Sequence, residues 1–131
     1  MNSIKNYIQL RDNIATSGQP KRGQFQIIAD AGYETVINLA MPDHAESIPE
    51  EGSIVTSLGM AYLHLPIPFD KPLPKQVKQF CQIMASIKDT KIWVHCIMNY
   101  RVSAVPVDEL KHCIALSLKY HLIKHLPMLG V

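Results

Sequence analysis

Lys91-Ile92-Trp93-Val94-His95-Cys96-Ile97-Met98-Asn99-Tyr100-Arg101-Val102-Ser103 is an apolar run that ends in a thiol, with an arginine after a loop of four residues. Ile92 to His95 reads as a buried strand. A cysteine placed just past a strand and just before a helix N-terminus sits in the positive field of unpaired backbone N–H groups. That field favours thiolate over the free thiol, whose ordinary pKa is about 8.5. The same amides can hold an oxyanion. Arg101 adds a planar donor fork suited to phosphate, sulfate or a related anion. The segment therefore combines a nucleophile with an anion cradle.

Working outward, the chain alternates strands and helices. Ile14 to Ser17 is a short strand, and Pro20 opens a helix over Gly23 to Ala31 that Gly32 closes. Glu34 to Leu39 is a second strand rich in β-branched residues. A loop from Ala40 to Pro49 leads to a helix over Glu50 to Leu58, ended by Gly59. Ala61 to Ile67 is strand, Lys75 to Ile87 an amphipathic helix, and Ile92 to His95 the strand that delivers Cys96. This order predicts an α/β fold with a mainly parallel central sheet flanked by helices.

The chain has 131 residues, of which 47% are hydrophobic and 18% charged. That supports one core and one domain spanning 1–131. No apolar run reaches membrane-spanning length, and the first residues contain no long apolar stretch. A cytoplasmic protein with no membrane partner is the expectation. A net charge of +2 is too small to argue for nucleic acid. Cys81, Cys96 and Cys113 cannot all pair within the chain, which fits a reducing compartment and a free thiol.

In open α/β sheets, ligands gather beyond the carboxyl ends of the strands. Cys96 lies at such an end. Asp70 follows the Ala61 to Ile67 strand in the turn Pro68-Phe69-Asp70-Lys71-Pro72, and a helical crossover should set the next parallel strand alongside, with both residues facing one pocket. Asp43 in the preceding loop, with His44 and Glu46, is a rival carboxylate at the same edge.

His-Cys, a short loop, Arg and a nearby Ser resemble the signature of the cysteine-dependent phosphatases of tyrosine and dual-specificity type, closest to their small bacterial branch. Thr16-Ser17-Gly18-Gln19-Pro20 and Gly32-Tyr33-Glu34-Thr35-Val36-Ile37-Asn38-Leu39 are similar to the opening of the phosphatase-like domain also found beside some metallo-β-lactamase-like hydrolases. The resemblance covers about residues 14–104. It implies a fold of phosphotyrosine phosphatase II type, with Cys96, Arg101 and Asp70 catalytic, Asp70 being the acid that protonates the leaving oxygen. His95, Ile97, Met98, Asn99, Tyr100 and Ser103 would surround the substrate, a phosphorylated protein or small phosphomonoester. No cofactor or metal is implied. The loop departs from the family in being one residue shorter than usual, a spacing that the small bacterial branch tolerates, and in carrying Asn99 at the usual glycine, a residue type that tolerates positive φ.

Plainer readings exist for each residue. A strand-end thiol alone is most often an inert core cysteine. His95 reads as a packed histidine that steadies the loop, and Ser103 either assists thiolate departure or bonds a helix carbonyl. Met98 and Tyr100 line the pocket mouth or pack the loop down. His121 and His125 have helical spacing that could bind a metal, but no third ligand is obvious. Cys81 falls in the apolar pattern of Val77, Phe80 and Met84 and reads as core. After Ala104 the resemblance fades: Pro106 interrupts the helix begun at Arg101, and Leu110, Ile114, Leu118 and Leu122 form a stripe that suggests an atypical tail over 105–131 or a homo-oligomer contact. Two alternative functions accompany the phosphatase: a rhodanese-like sulfurtransferase, favoured by the tight loop, and a catalytically weak anion-binding module, favoured by Asn99 and the interrupted helix.

Overall fold

The computed structural model describes residues 2–68 and 74–97. Strands β1 (Ile8–Arg11), β2 (Ile14–Ser17), β3 (Thr35–Asn38), β4 (Ala61–His64) and β5 (Ile92–His95) form one sheet in the order β1-β2-β5-β3-β4. The pairs β2–β5, β5–β3 and β3–β4 are parallel, and β1 joins antiparallel to β2. Helices α1 (Phe25–Asp30, after a 3-10 turn at Arg22–Gln24), α2 (Glu51–Ser57) and α3 (Pro74–Ser86) complete the described fold. The expected α/β class, with a mainly parallel sheet and flanking helices, is therefore observed.

Every residue of β2, β3 and β5 is buried, as expected for parallel strands covered on both faces. Because side chains alternate along a strand, β5 divides its side chains between two cores. Ile92, Val94 and Cys96 enter a cluster with Phe80 and Met84 of α3, while Trp93 enters another with Phe25 and Ile28 of α1 and Val55 of α2. His95 follows the Trp93 side, where its ring meets that of Phe25 at 6.4 Å. The alternation thus sends Cys96 and His95 to opposite faces of the sheet. Gly32 and Gly59 close α1 and α2 with φ of 91° and 88°, the left-handed geometry that glycine adopts without steric cost.

Three details differ from the sequence reading. β1 was not expected: its four residues are mostly exposed, so burial leaves no hydrophobic pattern to detect. β4 stops at His64 and not at Ile67. Backbone bonds from Leu65 to Asn38 and from Ile67 to Leu39 continue along β3, but Pro66 between them has no N–H to offer a ladder. Finally, β5 does not lie alongside β4, because β3 stands between them. The chain from β4 passes over β3 through α3 before pairing, so the carboxyl ends of β4 and β5 share an edge but are not neighbours.

Asp70, Met98, Asn99, Tyr100, Arg101 and Ser103 lie outside the described residues, as does the tail over 105–131. Among the described residues, no helix is long and apolar enough to cross a membrane, and no group of three or more His, Cys, Asp or Glu side chains could hold a metal ion.

Candidate active site

Cys96 is the first residue beyond the central strand. It is a fully buried thiol outside any disulfide. Its backbone is held from both flanking strands: the Cys96 N–H donates to the Ser17 carbonyl at 3.3 Å, and the Leu39 N–H donates to the His95 carbonyl at 2.8 Å. On the β2 side, the Gln19 N–H donates to the Ile97 carbonyl at 2.7 Å. Gly18 makes this close approach possible. A Cβ at Gly18 would fall 2.5 Å from the Ile97 carbonyl oxygen, inside van der Waals contact with rigid backbone. Ser17 braces the same turn, accepting from Trp93 Nε1 at 2.9 Å and donating to the Gly18 carbonyl at 2.7 Å.

Beneath Cys96 lies a buried polar network. His95 Nδ1 meets the Cys96 carbonyl at 3.0 Å, and His95 Nε2 meets Glu51 Oε2 at 2.6 Å. A carbonyl can only accept, so Nδ1 carries a proton. Glu51 Oε1 accepts from Gln19 Nε2 at 2.9 Å. Glu51 thus uses both carboxyl oxygens inside the core, one towards Gln19 and the other towards His95.

Asn38 anchors the far end. Its Oδ1 accepts from the Ala40 N–H at 2.9 Å, which leaves Nδ2 to donate to the Tyr62 hydroxyl at 3.0 Å. Burial, opposed by this bond and reinforced by the Glu51 charge, pushes the Tyr62 pKa up to about 12. The phenol therefore stays protonated well above the ordinary tyrosine range.

The structure thus brings His95, Cys96 and Ile97 together with Gly18, Gln19, Glu51 and Tyr62. His95 lies wholly within the core, against Glu51 and the Cys96 carbonyl. Asp43 is exposed in the loop after β3. In that loop His44 Nδ1 accepts from the Glu46 N–H, and Glu46 pairs with Lys5 at 2.7 Å, which lowers the Glu46 pKa. Glu51 and Tyr62 escaped the sequence reading. A signal for Glu51 exists: with Val55 it forms the buried face of α2, a carboxylate in an apolar stripe.

With its five strands in this order and Cys96 at the end of the central one, the chain has the fold of the cysteine-based, protein-tyrosine-phosphatase-like phosphatases. No protein-family model and no curated protein sequence matches the chain. Among solved structures, the chain is similar to a candidate phosphatase (DUF442) from Shewanella putrefaciens CN-32, at 28% identity. In one crystal structure of that protein the TM-score is 0.75, over 98% of this chain and 89% of that one. The core catalytic domain of the PP-IP phosphatase SIW14 from S. cerevisiae shares the fold at 12% identity and a TM-score of 0.63, over 89% of this chain and 83% of that one. P. aeruginosa TpbA shares it at 16% identity and a TM-score of 0.59, over 92% and 75%. The resemblance read from the His-Cys segment and the Ser-Gly-Gln-Pro turn agrees with these neighbours.

Proposed function

We propose that the protein is a cysteine-dependent phosphatase of tyrosine or dual-specificity type that hydrolyses phosphomonoesters through a phosphocysteine intermediate. The observation that carries the reading is the position of Cys96: a buried thiol, not in a disulfide, at the carboxyl end of the central strand, with the buried His95–Glu51 pair next to it in sequence and structure. The structural neighbours support the same reading. Some of them are characterised phosphatases, and TpbA is described in complex with phosphotyrosine.

In the first step the Cys96 thiolate attacks phosphorus and the ester P–O bond breaks. Asp70 gives its proton to the departing oxygen, while Arg101 and the amides of Ile97, Met98, Asn99 and Tyr100 hold the equatorial oxygens. In the second step water attacks the phosphocysteine and gives its proton to Asp70. The P–S bond breaks, and thiolate and inorganic phosphate are released. Ser103 assists thiolate departure. The His95–Glu51 pair acts from below, holding the Cys96 carbonyl so that the loop amides face the anion.

The test is hydrolysis of an aryl phosphate by the wild type, Cys96→Ser and Asp70→Asn, with sulfur transfer from thiosulfate to cyanide measured in parallel. Phosphate release that vanishes in Cys96→Ser and falls strongly in Asp70→Asn supports the mechanism. Sulfur transfer without phosphate release would assign a rhodanese-like reaction instead.

A further inference from the structure

A cleft of about 550 Å³ opens beside the site, lined by Lys5, Gln19, Lys21, Arg22, Gln24 and Glu46 among others. It borders the catalytic loop through Gln19, whose N–H holds the Ile97 carbonyl and whose side chain bonds Glu51. Three cations face this space. Lys5 pairs with Glu46 at 2.7 Å and Arg22 with Glu50 at 2.7 Å, whereas Lys21 has no ion-pair partner among the described residues. The two pairs are exposed, and exposed pairs contribute little, so an incoming anion can compete for both cations. Gln19 supplies a second feature. It is 7% exposed, and among the described residues its Oε1 has no hydrogen-bond partner, because Nε2 is directed to Glu51 and to the Pro20 carbonyl. A buried acceptor left over at a cationic wall calls for a donor.

We propose that this cleft is an accessory subsite that holds a second anionic group of the substrate, a phosphate or carboxylate on a small hydroxylated phosphomonoester. The proposal rests on the phosphatase reading above and adds a substrate class to it. The volume is that of a small-molecule site, not of an extended peptide groove. Lys21 and Arg22 would take the anion, and a ligand hydroxyl would donate to Gln19.

The experiment has two arms. In the first, kcat/KM is measured for a sugar bisphosphate and for the matching sugar monophosphate, in the wild type and in Lys21→Glu. The wild type should prefer the bisphosphate, and Lys21→Glu should reduce that preference about tenfold, the change expected from losing one charge-assisted contact. An unchanged ratio, or a preference for acidic phosphopeptides over the sugar bisphosphate, would overturn the proposal. In the second arm, inorganic tripolyphosphate and orthophosphate are titrated while the backbone amide signals of Lys21, Arg22 and Gln24 are followed. Tripolyphosphate should move these signals, and it should do so less effectively in Lys21→Glu; silent amides would overturn the subsite. If no phosphate ester is hydrolysed, the phosphatase reading falls and the second arm still decides the cleft.

Discussion

His95 Nε2 and Glu51 Oε2 lie 2.6 Å apart with both side chains buried, although 44 residues separate them in sequence. The contact joins the end of the central strand to the first residue of α2. It thereby ties the helix that covers one face of the sheet to the backbone carbonyl of Cys96. Removing one partner of a buried pair strands the other in a low-dielectric core, which is costlier than never having built the pair.

Glu51→Ala should therefore destabilise the fold by about 3–5 kcal/mol. Urea unfolding is the check. A loss below about 1 kcal/mol, the range of exposed pairs, would mean that solvent reaches the pair.

Glu51→Gln keeps the shape and removes the charge. Without the carboxylate, the buried bond between α2 and His95 loses its charge assistance, so the His95 ring and the Cys96 carbonyl that it contacts should be held less firmly. Phosphate release should fall while the fold survives, as read from kcat and urea unfolding on the same samples. Unchanged phosphate release would show that the pair serves architecture and not the reaction.

Gly18→Ala tests the close approach of the β2 turn to the catalytic loop. The added methyl would press on the Ile97 carbonyl oxygen and on the Lys5 side chain, at 2.5 and 2.9 Å. Lys5 can move aside, but the carbonyl belongs to rigid backbone. Overpacking of this kind costs about 1–3 kcal/mol, and phosphate release should fall along with the melting temperature. Normal activity in a fully stable Gly18→Ala protein would show that the loop tolerates displacement.

Tyr62 makes an alkaline prediction. Its folded pKa, raised to about 12, exceeds the ordinary value of 10.0. Above pH 10 the unfolded chain loses the phenolic proton while the folded chain keeps it. The stabilisation is thus complete below pH 10 and is lost as pH rises towards 12. Tyr33, also raised mainly by burial, acts in the same direction. Tyr62→Phe should be less stable at neutral pH by about 1 kcal/mol for the lost hydrogen bond from Asn38. It should also lose less stability than wild type between pH 10 and 12, as measured by urea unfolding across that range.

The sequence carried the centre of this architecture more clearly than its periphery. Ile92 to His95 and Ile14 to Ser17 are strands at the residues expected, because unbroken apolar or β-branched runs bounded by turns leave little choice. Cys96 was legible for the same reason, as the residue at which such a run stops. β1 was not, since an exposed four-residue edge strand is held by its backbone ladder and not by a hydrophobic pattern. The Glu51 contact was hidden for another reason. A glutamate in the first turn of a helix is ordinarily a solvated partner of the helix dipole, and only the tertiary fold, by seating α2 over His95, turns it into a buried ion-pair partner.

The most direct test of the central claim is to quench the protein during turnover of an aryl phosphate and examine the peptide that contains Cys96 by mass spectrometry. The account predicts a phosphoryl group on Cys96 in the wild type, accumulating when the second step is slowed and absent in Cys96→Ser. Phosphate release that continues in Cys96→Ser, with no phosphorylated Cys96 in the wild type, would contradict it.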